Sequence, residues 1–139
     1  MAGTVIEVDE SWAGRWNDYC RSHPELFIYY RWEFRSFLLS FLDCRPVYWV
    51  ALDDAGRIRG LLACMEKRGP FGTVLNSLPF FGTNGGVVAD DVAAARLLER
   101  ALESYLSRMD IASATIIGNP LLEAMPTDPG DLRDSRLGQ

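Results

Sequence analysis

The first third of the chain combines one strand-like run with two stretches of helical spacing. The run Thr4–Val8 is short and β-prone, as is typical of a strand. A helix is predicted next, capped by Asp9 or Ser11, and it ends before Pro24 because the residue before a proline avoids the helical conformation. Its apolar positions fall at i, i+4, i+7 and i+8, namely Trp12, Trp16, Tyr19 and Cys20.

A second amphipathic helix is predicted from Arg31 onward, and it stops before Pro46. Its predicted apolar face consists of Phe34, Phe37, Leu38, Phe41 and Leu42. The opposite face is polar and carries Glu33, Ser36, Ser40 and Asp43.

The middle of the chain predicts antiparallel strands. Val47–Leu52 and Arg57–Met65 flank the turn sequence Asp53-Asp54-Ala55-Gly56, in which Gly56 can take a positive φ, so a β-hairpin is expected. Thr73–Leu78 is predicted to form a further strand.

A long helix and a last strand follow. Residues 89–109 have one apolar face, made of Ala95, Leu98, Leu102, Tyr105 and Met109, with Asp90 and Asp91 in the first turn, where the helix dipole favours them. Ile111–Ile117 is continuously apolar and is predicted to be a buried strand. We expect residues 1–118 to form one domain, and residues 119–139, with their prolines and acidic turns, to be an irregular segment that leads to a second domain beyond Gln139.

Composition narrows the functional classes. The 139 residues are 48% hydrophobic and carry a net charge of −5, without the clustered basic face that general nucleic-acid binding requires. Three cysteines at long spacings and a single histidine, His23, predict reduced thiols and no metal site. The chain shows no signal peptide and no apolar run able to span a membrane, so we expect a cytoplasmic location.

The segment NSLPFFGTNGG, residues 76–86, is the most unusual stretch. Its glycine density does not suit a packed strand, and its two phenylalanines do not suit a plain turn. Three interpretations are open: a phosphate cradle, a loop that shapes a substrate site, and a tightly packed structural connection.

The order strand, two helices, antiparallel strands, helix, strand resembles the GNAT acyltransferase fold. That fold is α+β in class, with three layers and a mixed, largely antiparallel sheet between helices, here expected to be incomplete at the C-terminus. The sequences HPELFIYYRW, WVALDDAGRIRGLLACM and LNSLPFFGTNGGVVAD also resemble the FemAB-like branch of this superfamily. That resemblance implies the acceptor-side, N-terminal domain of an enzyme that transfers an acyl or aminoacyl group to an amine of a cell-envelope or polysaccharide precursor, inactive on its own.

The sequence departs from the family's usual donor site. Domains that bind acyl-CoA carry an Arg/Gln-x-x-Gly-x-Gly/Ala turn whose following helix holds the pyrophosphate. Here no Arg or Gln precedes the glycines at that spacing, and Asp90 and Asp91 stand at the helix start. We therefore expect no cofactor on this domain, and an acyl-CoA or aminoacyl-tRNA donor held by a second GNAT domain of the same chain.

The resemblance implies that this domain contacts a small-molecule or glycan-precursor acceptor. The residues expected at that site are Tyr30, Arg31, Trp32, Pro79, Phe80, Phe81, Thr83, Asn84, Gly85 and Gly86. No catalytic residue is assigned, and His23 is expected to be a surface residue at a helix end. Two other functions stay open: a non-catalytic interaction domain that binds a partner protein through the Leu78–Phe81 surface, and a stand-alone acetyl-CoA N-acetyltransferase.

Overall fold

The computed structural model describes residues 3–24, 26, 28–77, 85–108 and 111–116. Its elements in chain order are β1 (Thr4–Glu7), α1 (Ala13–Arg21), α2 (Trp32–Phe41), β2 (Arg45–Leu52), β3 (Ile58–Gly69), β4 (Gly72–Ser77), β5 (Val88–Ala89), α3 (Val92–Arg108) and β6 (Ile111–Thr115). Short 3₁₀ turns, Glu10–Trp12 and Ile28–Tyr30, precede α1 and α2. The predicted order of elements is confirmed, and β5 is an addition that the sequence pattern did not indicate.

The six strands of the described residues form one sheet in the order β1-β2-β3-β4-β6, with β5 paired to β3. The neighbouring pairs are antiparallel except β4 and β6, which run parallel. The predicted hairpin joins β2 to β3, and Gly56 in its turn has a φ of 77°. This confirms the mixed, largely antiparallel sheet flanked by helices.

The sheet separates two hydrophobic cores. Residues of α1, α2 and the first 3₁₀ turns pack on one face around Trp16, Tyr30 and Leu38. Helix α3 packs on the other face through Ala94, Leu98, Leu102 and Tyr105. Side chains of a strand point to alternate faces, so neighbouring residues of β2, such as Tyr48 and Trp49, belong to different cores.

Helix α2 is rotated relative to its predicted orientation. Its buried positions are Trp32, Arg35 and Leu38, whereas Phe37 and Phe41 are 44% and 64% exposed. The physical reason lies in Arg35, whose guanidinium stacks 4.3 Å from the centre of the Trp32 ring and pairs with the Glu10 carboxylate. The Trp32 ring and the Glu10 carboxylate stabilise the charge of Arg35, so this residue can be buried. The pattern of polar and apolar residues therefore predicted the wrong buried face for α2.

The prediction that the last strand is buried is wrong for the described residues. β6 ends at Thr115, and four of its five residues are exposed. The strand pairs with β4 along one edge only among the described strands, so apolar composition alone did not indicate burial.

The structure confirms most of the predicted apolar positions of α1 and α3 and the free state of the three thiols. Helices α1 and α3 bury most of their predicted apolar positions, although Met109 lies outside the described residues. Cys20 and Cys64 are buried free thiols, and Cys44 is a half-buried free thiol. None of the described helices is both long and apolar enough to cross a membrane.

The pairing of β5 with β3 depends on Gly60. A Cβ atom placed there would lie 2.8 Å from the Val88 carbonyl oxygen and 3.0 Å from Leu98 Cδ1, closer than such contacts occur. Only a residue without a side chain therefore lets β5 and α3 approach this strand.

Replacing Gly60 with alanine is expected to lower the free energy of unfolding by about 1–3 kcal/mol, because the new methyl group overpacks the β3–β5 junction. Gly14→Ala is the matched control, since a Cβ there meets nothing within 4 Å and the position lies inside α1. The control should raise stability by ~0.4–1 kcal/mol. Urea denaturation of both variants measures these changes, and equal effects of the two substitutions would contradict the packing constraint at Gly60.

Candidate functional site

The glycine segment after β4 lies where the partner of β3 changes from β4 to β5. β4 stays paired with β3 up to Ser77, opposite Cys64, and β5 resumes the pairing at Val88, opposite Leu61. The chain between Ser77 and Val88 therefore spans a short interval of β3 with far more residues than the interval needs. Such an insertion in the middle of a sheet edge can form a site for a ligand beside the strands.

Gly85 and Gly86 bring the chain back to the sheet. Both are buried, and Gly86 has a φ of 93°, in the region that favours glycine. A Cβ atom on Gly85 would lie 2.8 Å from both Cβ and Oγ of Ser77. The backbone of Gly85 thus packs directly on the end of β4.

Tyr30 ties this segment to the connection between α1 and α2. Its hydroxyl donates a hydrogen bond of 2.6 Å to the Gly85 carbonyl, and its own carbonyl accepts one of 2.5 Å from Trp16 Nε1. Burial raises the pKa of the Tyr30 phenol, so the hydroxyl remains protonated and available as a donor. The structure thus brings together two of the residues that the sequence proposed for the site, Tyr30 and Gly85.

The side chains of Arg31 and Trp32, also proposed for the site, form their polar contacts with glutamates of other segments. The Trp32 indole N–H donates 2.9 Å to the Glu10 carboxylate, and its ring packs against Trp16 and Tyr48 in the core. The side chain of Arg31 is 40% exposed, with its Nε 3.7 Å from the Glu33 carboxylate. The hydrogen bonds and ion pairs of these two side chains go to Glu10 and Glu33, not to Gly85 or Gly86. The other proposed site residues, Pro79, Phe80, Phe81, Thr83 and Asn84, lie outside the described residues.

A cluster of polar side chains joins the end of α1 to the start of α3, and sequence reasoning missed it. His23 Nε2 lies 2.7 Å from Asp90 Oδ1, which also accepts a 2.8 Å hydrogen bond from the Tyr19 hydroxyl. The Tyr19 and His23 rings stack with centroids 4.0 Å apart. His23 and Asp90 are 67 residues apart in sequence, so no local pattern pairs them.

His23 bridges the end of α1 and Asp90 through its two ring nitrogens, and we call this contact the His23 clamp. Its second ring nitrogen, Nδ1, lies 2.8 Å from the Tyr19 carbonyl oxygen, so both nitrogens already face oxygen atoms. A general base needs one nitrogen directed at the substrate. The expectation that His23 marks a helix end therefore gains a specific role, because His23 fixes that end to Asp90.

The N-terminus of α3 is capped from within the chain. Helix α3 begins at Val92, so Asp90 and Asp91 precede its first turn instead of lying in it, and Asp91 Oδ1 accepts the Ala94 N–H at 2.8 Å. This hydrogen bond, followed by that of Arg59, holds the pKa of Asp91 below its usual value. Arg59 also lies 3.6 Å from the Asp90 carboxylate, so both acidic groups have a cationic partner.

The two fully buried thiols offer no nucleophile. Burial raises the pKa of Cys20 to about 12 and raises that of Cys64 as well. A thiol with such a pKa carries almost no thiolate at neutral pH. Among the described residues of this region, backbone groups and phenols supply hydrogen bonds.

No family model and no curated protein sequence matches the chain. Among solved structures, a GNAT family acetyltransferase from Staphylococcus aureus aligns with 95% of this chain and 100% of its own, at a TM-score of 0.56 and 13% identity. A ribosomal-protein-alanine N-acetyltransferase from Brucella melitensis aligns with 98% of this chain and 100% of its own, at a TM-score of 0.59 and 10% identity.

The chain has the GNAT acetyltransferase fold. At these identities the likeness concerns the fold alone, and the FemAB-like branch stays a prediction. Within this GNAT fold, the glycine segment and the capped start of α3 occupy the connection between β4 and α3. The expectation that no acyl-CoA binds at this connection stays a prediction, and the Asp91 cap lies at its α3 end.

Removing the cap at Asp91 is expected to destabilise the protein. Asp91→Ala should lower the free energy of unfolding by about 1 kcal/mol, because the Ala94 N–H loses its acceptor. Asp91→Asn keeps an acceptor oxygen and should cost less. A folded-state pKa below 3.8 gives a stabilisation that is present above that pH and is lost as the pH falls through the lowered pKa.

Denaturation of the three proteins at neutral pH and at acid pH checks this prediction. The difference between wild type and Asp91→Asn should shrink in acid, where Asp91 becomes protonated. A difference that stays constant across this range would contradict the ionised cap.

His23 and Asp90 should be energetically coupled. A double-mutant cycle with His23→Ala and Asp90→Ala is expected to give a coupling energy of ~1 kcal/mol, because both side chains are about three-quarters buried. The control cycle uses Arg21 and Asp18, a pair that is 57% and 70% exposed and whose coupling should be near zero. Equal coupling in the two cycles would show that the His23–Asp90 contact is not a structural clamp.

Proposed function

We propose that this chain acts in N-acyl transfer, with the acceptor amine bound beside the Gly85–Gly86 segment. The observation that carries the proposal is the hydrogen bond from the buried Tyr30 hydroxyl to the Gly85 carbonyl, within a GNAT fold. This bond fixes the backbone after β4 against the α1–α2 connection. A rigid backbone wall of this kind is what positioning of an amine requires.

The proposed chemistry needs few side chains. An amine attacks the carbonyl carbon of a thioester or ester, the C–N bond forms, the thiol or alcohol leaves, and the amine gives up a proton. Backbone N–H groups that point at the developing oxyanion can supply much of the stabilisation. The raised pKa values of the Tyr19 and Tyr30 phenols keep both as donors in this region.

Our finer proposal is the acceptor-side domain of a FemAB-like enzyme that modifies an amine of a cell-envelope or polysaccharide precursor. The Asp91 cap supports it, because a helix N-terminus whose N–H is already bound to a carboxylate is a poor site for pyrophosphate. In this proposal the acyl-CoA or aminoacyl-tRNA donor is held by a second GNAT domain, and this domain binds none.

A stand-alone acetyl-CoA N-acetyltransferase is the second candidate. It is favoured by the two acetyltransferase structures, each of which aligns over 100% of its own length with this one chain. The acceptor would then be a small amine or a protein amine, and the donor would have to bind without the α3 N-terminus in its usual role.

Calorimetric titration of the chain with acetyl-CoA separates the two candidates. No heat of binding is expected for an acceptor-side domain. A Kd in the micromolar range, about −8 kcal/mol, would instead favour the stand-alone enzyme. Coenzyme A without the acetyl group serves as the control for non-specific nucleotide binding.

Tyr30→Phe tests the proposed acceptor wall in either case. It keeps the buried ring and removes only the bond to Gly85, so acceptor binding or transfer to an amine should weaken by about tenfold while the fold is retained, as expected for one lost hydrogen bond. Tyr105→Phe is the matched control, since that phenol lies in the α3-side core. If primary amines and acetyl-CoA both fail to bind the wild-type chain, N-acyl transfer by this domain is refuted and a non-catalytic interaction domain is favoured.

A further inference from the structure

The β3–β4 hairpin ends in an exposed turn. The two strands stay paired up to Gly69 and Gly72, and Pro70 and Phe71 connect them. Residues 67–71 are all exposed, and Phe71, at 91%, is the most exposed of the large hydrophobic residues that the structure describes. A lone exposed ring is common on protein surfaces, whereas a group of exposed apolar side chains rimmed by polar ones marks a contact surface.

Two further phenylalanines lie at the same end of the sheet. Helix α2 ends at Phe41, and the chain soon enters β2 at Arg45, which pairs with Glu66 near the end of β3. Phe41 is 64% exposed and Phe37 is 44% exposed, and their rings stack with centroids 5.8 Å apart. This end of the domain therefore presents three phenylalanine side chains to solvent.

Two exposed cations flank the turn on opposite faces of the hairpin. Lys67 and Arg68 are consecutive in β3, so their side chains leave opposite faces of the sheet. Lys67 lies on the α2 side, like Met65 two residues earlier. Arg68 lies on the α3 side, like Glu66, which accepts a hydrogen bond from α3. Within the part of the chain that the structure describes, neither cation forms an ion pair.

The carboxylates of this region lie behind the turn or beside it, and none lies in it. Glu66 is set back from Gly69 by three residues, about 10 Å of strand, which is close to one screening length in physiological salt. The Glu66 carboxylate lies 2.5 Å from Arg45 Nε, and Glu7 lies 3.3 Å from the same guanidinium. Asp43 is exposed and lies beside the two cations. The positive charges are thus the charges nearest to the turn.

We propose that the β3–β4 hairpin docks end-on onto an anionic lipid bilayer, with Phe71 inserted and Lys67 and Arg68 bound to headgroup phosphates. Apolar side chains of interfacial proteins enter the bilayer by about 5–10 Å. The two cations lie one and two residues before Gly69, about 3–7 Å back along the strand. Their long apolar stems let the charged groups reach the phosphates while the ring is inserted. Phe41 then meets the interface beside the turn.

The placement of the cations favours a bilayer over a folded partner protein. An anionic bilayer is negative over its whole surface and fluid, so it meets side chains from both faces of a hairpin that approaches end-on. A folded partner would have to surround the turn to do the same. A turn of two residues also offers far less area than the ~800 Å² per partner that a stable protein interface buries.

This surface is independent of the proposed acyl transfer. β4 runs from Gly72 at the turn to Ser77, on which Gly85 packs. About 17 Å of strand therefore separates the turn from Gly85, and a docked domain holds the Gly85 backbone above the headgroups.

Sedimentation of the whole chain with lipid vesicles tests the proposal. Vesicles of equal parts phosphatidylcholine and phosphatidylserine are compared with vesicles of phosphatidylcholine alone. We expect saturable binding to the anionic vesicles that weakens as sodium chloride is added, and much weaker binding to the neutral ones. A chain of net charge −5 has no general attraction to anionic vesicles, so such binding requires a local cationic site. Absence of binding to anionic vesicles, or equal binding to both kinds, would overturn the proposal and favour a partner protein for the turn.

Substitutions at the turn separate insertion from charge. Phe71→Ala should weaken binding to anionic vesicles by about tenfold, because the inserted ring is lost. Phe71→Trp should bind at least as well as the wild type, since tryptophan favours the membrane interface. Lys67→Gln combined with Arg68→Gln should also weaken binding by about tenfold or more. An equal loss with Phe71→Trp and Phe71→Ala would contradict insertion of the ring.

Matched controls lie on α3. Val92→Ala removes part of another apolar side chain that is 61% exposed, and Arg96→Gln combined with Arg100→Gln removes two other exposed cations. Both control variants should bind anionic vesicles as the wild type does. Losses equal to those of the turn variants would show that binding follows overall charge or apolarity, and the hairpin would be rejected as the docking site.

Discussion

The fold of this protein depends on one edge of β3, the edge opposite β2, which pairs with both β4 and β5. β3 has 12 residues and β4 has 6, so β4 covers only the outer half of that edge. β5 covers part of the inner half, and it can do so because Gly60 lets the Val88 carbonyl approach. The interval between these two partners is where the glycine segment returns to the sheet and where α3 receives its starting direction.

Hydrogen bonds hold the chain around the interval between β4 and β5 against the α1–α2 side of the domain. Tyr30 reaches Gly85 from the α1–α2 side, and Asp90 receives Tyr19 and His23 from the end of α1. These bonds link elements that are distant in sequence, so the surface forms only when the whole domain has folded. Arg59 balances the negative charges at the start of α3, and the helix end therefore gives little attraction to a polyanion.

Much of this fold was accessible from the sequence. Apolar spacing predicted α1 and α3, and turn chemistry predicted the hairpin at Gly56, because these signals are local. The inner face of α2 was misassigned because the burial of Arg35 depends on Glu10 and Trp32, which only the tertiary structure brings to it. β5, of two residues, is too short to leave a pattern.

The site was accessible only in part for the same reason. The glycine density of residues 76–86 indicated the segment, and the aromatic run indicated Tyr30, but nothing in the sequence separates the inward Tyr30 and Trp32 from the more exposed Arg31. The His23–Asp90 contact joins two ends of the chain's helices across 67 residues. Pairings of that kind are decided by topology, which no local spacing encodes.

The division of the molecule by its sheet also has a spectroscopic consequence. Trp12, Trp16 and Trp32 belong to the core beneath α1 and α2, whereas Trp49 alone lies on the α3 side, 5.4 Å from the Tyr105 ring. In a variant that retains only Trp49, tryptophan fluorescence would report the loss of α3 packing and would not respond to changes in the opposite core. The two halves of the domain therefore possess separate native optical reporters, by which the order of their unfolding can be followed without any label.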